Sequence, residues 1–360
     1  MRKRNTLELF LAVATMMLLS VPATATDRLP DPDGEPADIS QPVQVYILLG
    51  QSNMLGFGKI EPAKGKPEGS LTNAVKAKGL YPYLVDDDGN WTERKDVRNV
   101  RVMGSGTGSM RQFNNEWMTI TGKTIGPEIG IGHHLGHAFD APVLILKSCI
   151  GNRALGWDLL PPESEGFEFT DAKGVTWMHP GYKGSPERWQ KSTEPNKITW
   201  YAGMQYDGDI SRAKKVLGEL DQYYPGATQY EVAGFFWWQG DRDSRSAALS
   251  SRYEQNLVQL IKRLRIDFNA PNAKFVCATL GQTEKGATDD GGKILDAMFA
   301  VDGQSGKYPD FKGNVAAVYS HPLSQGGSSG GHYNGNAETY MNVGEAMGKA
   351  MVGLSNTDSE

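Results

Sequence analysis

Five short apolar runs constrain this chain more than any other feature: VQVYILL (43–49), APVLILKSC (141–149), EVAGFFWW (231–238), AKFVCATL (273–280) and GNVAAVYS (313–320). Each is continuously apolar rather than alternating, as expected of a strand buried on both faces. Helical patterns lie between them. PEIGIGHHLGHAF begins with a Pro at the expected helix start. SSRYEQNLVQLIKRLRIDF sets Tyr253, Leu257, Leu260, Ile261 and Leu264 on one face, and NAETYMNVGEAMGKAM repeats Tyr340, Val343 and Met347 at helical spacing. Strands alternating with helices imply a parallel sheet covered on both sides. The expected class is α/β: a three-layer α/β/α sandwich around a five-stranded, mainly parallel sheet, with ligands bound beyond the carboxyl ends of the strands.

The first residues read as a targeting segment. Arg2, Lys3 and Arg4 precede the apolar LELFLAVATMMLLSV, and Ala23-Thr24-Ala25 offers a small-x-small cleavage site. The expectation is a signal peptide over 1–25, export to a periplasm or beyond the cell, and no membrane attachment after cleavage. Residues 26–41, rich in Pro and Asp, read as a flexible lead-in. Residues 42–355 read as one domain with long insertions at about 59–125 and 152–204. Removing 1–25 takes away three basic residues and Glu8, which leaves 34 basic against 41 acidic side chains, a net of −7. Such a balance suits a neutral or weakly charged substrate better than nucleic acid or an anionic membrane.

Cys149 and Cys277 end apolar runs. Export permits a disulfide, but their interior positions favour free buried thiols. The insertions carry Trp91, Trp117, Trp157, Trp177, Trp189 and Trp200. Flat rings in long loops suit a cleft for sugar faces; the plain reading is that they staple the insertions to the core. DDDGN (86–90) lacks the spacing of a calcium loop, and GSGTGS (104–109) follows no clear strand, so both read as turns.

The turn LLGQSNMLGFG (48–58) puts Ser52 three residues beyond the first run, at the active edge of a parallel sheet. A serine nucleophile needs a base and donors for the oxyanion. Of six histidines, His133, His134 and His137 face different directions on one helix. His133 and His137 have a metal pair's spacing, but no Glu follows His133, and neither metal nor cofactor is expected. His179 lies in an insertion. His321 and His332 follow the last strand, and His332, in the glycine-rich GGSSGGHYNGNAETY, is the preferred base. KSCIGNRALGW offers the Gly151 N–H and FFWWQGDRDS the Gln239 amide as oxyanion donors. A turn glycine and a strand cap are their structural alternatives. Arg153, Arg242 and Arg245 flank these motifs, to meet a substrate carboxylate or to pair with nearby acids.

GQSNM, GPEIG, VLILKSCIGN with the following GW, WWQGDRD and HYNGNAETYMNVGEAMGKAM resemble the SGNH-hydrolase superfamily. More closely they resemble the sialate O-acetylesterase-like carbohydrate esterases, which include acetylxylan esterases. The resemblance covers about residues 43–354, the insertions least. It implies the SGNH/flavodoxin-like sandwich, Ser52 as nucleophile and His332 as general base. It also implies an oxyanion hole made of the Ser52 N–H, Gly151 and Gln239, and no cofactor. The chain departs from the pattern twice. Ser329 stands three residues before His332, where many relatives carry Asp, and Asp241 stands where many read WQGE. Asp241 is the expected acidic member; Asp243, or a backbone carbonyl near Ser329 that leaves a Ser-His dyad, are the alternatives. The implied activity is hydrolysis of O-acetyl esters on carbohydrate, such as acetylated xylan or O-acetyl sialic acid. Competing readings are a non-catalytic carbohydrate-binding protein on this scaffold, and a lipase or thioesterase. The retained Ser52 and His332 oppose the first, and the polar tryptophan-rich insertions oppose the second.

Overall fold

Strict alternation inside the first apolar run builds both faces of the sheet. In β1 (Val43–Gly50), Val43, Val45, Ile47 and Leu49 enter one apolar cluster, while Tyr46 and Leu48 enter another. Side chains of successive strand residues point to opposite faces, so a strand buried on both must be apolar throughout. The computed structural model describes residues 29–63 and 68–356; the expected signal peptide lies outside the described residues. Residues 29–42 form no helix or strand.

The other members of the main sheet are β2 (Arg94–Met103), β3 (Arg111–Met118), β4 (Val143–Ser148), β5 (Tyr230–Trp238), β6 (Lys274–Ala278) and β7 (Val315–Val318). Their order is β7-β6-β5-β1-β4-β2-β3. All neighbours pair in parallel except β2 and β3, which are antiparallel. The sheet thus has seven strands where five were expected. The two added strands come from the 59–125 segment, and their polarity hid them. Strand β2, RKDVRNVRVM, buries Arg94, Arg98 and Asn99 beside its valines. Arg98 donates to the Tyr223 carbonyl at 2.9 Å, and Arg94 is paired with Asp96. Buried charge is tolerated because it is partnered.

One cluster is closed by α3 (Met204–Gly218), α4 (Tyr253–Asp267) and α5 (Asp290–Val301). The other is closed by α2 (Glu128–Ala138) and α6 (Ala337–Asn356), which pack on each other. This is the expected three-layer sandwich. The residues foreseen on one face of 250–268, Tyr253, Leu257, Leu260, Ile261 and Leu264, are all buried. The 152–204 segment carries a small antiparallel sheet of 167–170, 176–179 and 189–190. No helix among the described residues is long and apolar enough to cross a membrane.

Parallel pairing brings the carboxyl ends of β1, β4, β5, β6 and β7 to one edge, and with them Ser52, Gly151, Gln239 and His321. Strand β2 is parallel to β4, so its 104–110 turn rises at the same edge.

Cys149 and Cys277 are free and fully buried, and burial pushes both thiols well above their ordinary range. A thiol reagent such as Ellman's is therefore expected to find no reactive cysteine in the native protein and two per chain in denaturant.

Candidate active site

The GQSNM turn is locked from three sides. Gly50 has φ of +143°, and a Cβ there would lie 2.4 Å from the Trp238 carbonyl oxygen. Only glycine admits that approach of β5 to the end of β1. The Gln51 N–H donates to the same carbonyl at 3.3 Å. Ser52 then opens the single helical turn α1 (Ser52–Leu55), with its side chain at the edge of burial, 8% exposed. Gly56 ends the turn at φ +95°, where a Cβ would stand 2.3 Å from Gly126 Cα. Beneath it Lys147, buried at the end of β4, donates from Nζ to the Leu55 carbonyl at 2.9 Å and to Glu128 at 2.5 Å. Glu128 also accepts from the Gly126 N–H at 3.0 Å. So GPEIG supplies the glycine that lets α1 approach and the carboxylate that pays for burying a lysine.

Gly151 passes close to Ser52: a Cβ on it would lie 3.4 Å from Ser52 Cβ. Gln239 is buried at the end of β5. Its Nε2 lies near three acceptors: Asp243 Oδ2 at 2.5 Å, the Arg153 carbonyl at 2.8 Å and Gln51 Oε1 at 3.1 Å. Its Oε1 accepts from the Tyr253 hydroxyl at 2.8 Å. Asp243 is completely buried and also accepts from the Leu155 and Gly156 N–H groups, both at 2.9 Å. Desolvation pushes its carboxyl up to about 6, against the hydrogen bonds it accepts.

His332 lies in the turn 329–335, which touches α1. His332, Tyr333 and Asn334 all have φ of +51°, a left-handed run of non-glycine residues. Tyr333 anchors it in the core between Trp238 and Tyr340, at ring distances of 5.9 and 6.0 Å. The Tyr333 hydroxyl accepts from the Gly281 N–H at 3.1 Å. The half-buried His332 ring stacks on Phe57 at 4.0 Å with 6° between the planes. Asp241 meets the same turn: the Ser329 hydroxyl donates to its Oδ1 at 2.9 Å, and Arg245 pairs with its Oδ2. The carboxylate that the sequence lacks at 329 is thus brought against 329 by the neighbouring strand end.

Other features singled out in the sequence serve the scaffold. His321 donates from Nδ1 to the Gly281 carbonyl, 2.9 Å away. His133 is buried against Tyr83, and His179 against Phe167. GSGTGS is held on α3: Gln205 bonds Gly106 N and Gly104 O, and Arg212 bonds the Gly106 carbonyl. Cations lie over Trp91 (Lys76), Trp117 (Arg98), Trp177 (Arg188) and Trp200 (Arg153), each pair within its own insertion; Trp91 and Trp117 also pack on the main clusters, and Trp157 is buried. Arg153 bonds Gln205 and Ser105, Arg245 pairs with Asp241, and Arg242 lies 4.0 Å from Glu187. Sequence reasoning passed over Lys147, whose signal is a lone lysine in an interior apolar run. It also passed over Phe57 and Tyr253, which carry no such signal.

The half of the chain that holds Gln239, Asp241 and His332 decides the family likeness. Residues 184–353 match the family of carbohydrate esterases, sialic acid-specific acetylesterases. No curated protein matches the sequence. Among solved structures, a protein of Arabidopsis thaliana is similar at TM-score 0.48 and 17% identity, over 88% of this chain and 99% of that one. XAC1771, a carbohydrate acetylesterase of Xanthomonas citri, is similar at TM-score 0.46 and 13% identity, over 85% of this chain but 55% of that one. NanS is similar at TM-score 0.41 and 14% identity, over 81% and 80%. The esterase match begins after the GQSNM and KSCIGN motifs, so Ser52 and Gly151 lie outside it.

Asp243 gives this site a pH signature. The unfolded chain releases that proton near the ordinary 3.8, the native state near 6. Its contribution to stability is complete below about pH 4 and is lost as pH rises through 6. Denaturant melts at pH 4 to 7 are expected to show a loss larger by roughly 3 kcal/mol in the wild type than in Asp243→Asn, which keeps the loss due to the buried Asp209, lifted to about 7 by desolvation.

Proposed function

We propose that the protein is an exported serine esterase that removes acetyl groups from carbohydrate. One observation carries the reading: the serine of GQSNM, a glycine loop and a histidine turn meet at the carboxyl edge of a parallel sheet whose C-terminal half matches a carbohydrate esterase family. In this reading His332 takes the Ser52 proton as Oγ attacks the ester carbonyl. The Ser52 and Gly151 N–H groups hold the oxyanion, and the Gln239 amide joins them by exchanging its longest contact, Gln51 Oε1, for the substrate oxygen. As the tetrahedral adduct collapses, the sugar hydroxyl leaves with the proton from His332. Water, deprotonated by the same ring, then releases acetate and restores Ser52.

Asp241 is the acidic member through its charge beside the histidine turn rather than through a hydrogen bond to the ring, since its oxygens meet Ser329 and Arg245. Its contact with Ser329 favours this over Asp243, whose oxygens face Gln239 and the 155–156 backbone away from the histidine turn. The basic head and apolar run of residues 1–25 support export, and the acidic mature balance supports an uncharged polymer over nucleic acid.

Acetate release from acetylated xylan and from O-acetylated sialic acid tests the activity. The wild type is expected to release acetate from at least one, and Ser52→Ala to fall by at least about 10³-fold with sugar binding retained. Binding without release by the wild type would make the protein a lectin-like scaffold instead. A four-variant cycle tests the acid. Asp241→Asn and Ser329→Asp alone are each expected to lower kcat/KM about tenfold or more, the first by removing a carboxylate and the second by crowding two. The double variant is expected to recover most of the loss; a double variant no better than the worse single one removes Asp241 from the mechanism.

A further inference from the structure

We propose that Phe57 is the positioning residue of the histidine base, its ring fixing the imidazole orientation that a carboxylate at position 329 would otherwise fix. The inference rests on His332 being the base. Four observations converge on it. The two rings are face to face, 4.0 Å apart and 6° from parallel. His332 has no hydrogen-bond partner among the described residues, because the Asp241 oxygens meet Ser329 and Arg245. Tyr333 anchors the backbone of the turn but not the side-chain torsions of the residue before it. The Phe57 backbone is held as firmly. It lies between Gly56, wedged on Gly126, and Gly58, where a Cβ would stand 2.9 Å from Ala337 Cα.

The arrangement suits a base. A stacked partner touches only the ring face, so both imidazole nitrogens stay free at the edge, one for the Ser52 proton and one for an acceptor. An aromatic face also attracts a cation. The contact therefore strengthens when His332 becomes imidazolium in the transition state, the kind of interaction that raises kcat rather than lowering KM. The left-handed run 332–334 gives the stack a reason to be built in. Such backbone is costly and persists only where its surroundings over-determine it. Ser52 and Phe57 leave the same turn, so nucleophile and base are referenced to one piece of backbone.

The test compares Phe57→Leu and Phe57→Tyr on two acetyl esters: an acetylated sugar, whose alkoxide must leave with a proton, and 4-nitrophenyl acetate, whose phenolate leaves without one. Phe57→Leu is expected to lose about 10- to 100-fold in kcat/KM on the sugar ester, chiefly in kcat, and markedly less on the aryl ester. Phe57→Tyr is expected to stay within about threefold of wild type. In the wild-type NMR spectrum the His332 ring protons, assigned by their absence in His332→Ala, are expected to be shielded by the Phe57 face and to move downfield in Phe57→Leu. Unshielded His332 protons in the wild type overturn the proposal whatever the variants do. So does a rise in KM alone, which would make Phe57 a sugar platform. If His332→Ala is inactive while Phe57→Leu works at the wild-type rate, the positioning role falls and the base stands. If His332→Ala keeps its activity, the base itself was misassigned.

Discussion

The Gln239 amide ties together the ends of β1, β4 and β5. Through Nε2 it reaches Gln51 beside Ser52, the Arg153 carbonyl beside Gly151, and Asp243 in the turn after its own strand; through Oε1 it receives Tyr253 from α4. A single buried amide has two hydrogens to donate, here set among three acceptors, and its oxygen accepts from Tyr253. In a dry interior a network of this kind is rigid when complete and expensive when broken. The relative heights of three strand ends, on which any oxyanion geometry depends, are therefore set by one side chain. The Lys147–Glu128 pair does the same from below, holding the last carbonyl of α1.

The strands legible in the sequence were those that burial had made uniformly apolar. Trp237 and Trp238 face opposite clusters, and no soluble strand exposed on one side would carry both. Strand β2 escaped notice because its interior positions include Arg94 and Arg98, whose partners, Asp96 for the first and Tyr223 and Asn115 for the second, are visible only in three dimensions. The motifs Ser52, Gly151, Gln239 and His332 were legible for a different reason: strand ends in a parallel sheet converge, so polar and glycine-rich turns after apolar runs must share an edge. What the sequence did not carry was side-chain direction. Nothing in FGKI marks Phe57 as a neighbour of His332, and nothing in WWQGDRD tells Asp241 from Asp243.

That last distinction is one of chemistry as well as position. Two aspartates two residues apart sit in opposed environments. Asp243 is sealed under Gln239 and two backbone N–H groups, with desolvation lifting its carboxyl toward neutrality. Asp241 faces the histidine turn with Arg245 at its side. A serine at 329 does not leave the turn without acid; it converts a residue that would have carried the charge into one that receives it.

The central place of β1 has a consequence for synthesis. VQVYILL is the first strand made among those described, yet its two partners, β4 and β5, follow roughly 100 and 190 residues later. At ribosomal rates of about 5–20 residues per second, its most apolar segment waits on the order of ten seconds or more without a neighbour. Tyr340, which reaches back to Asn53 across 287 positions, arrives later still. Long-range parallel pairing of this kind folds slowly and leaves sticky edges exposed. A chain so ordered gains from being kept unfolded until it is whole, and expression without a holding chaperone should favour inclusion bodies over native protein.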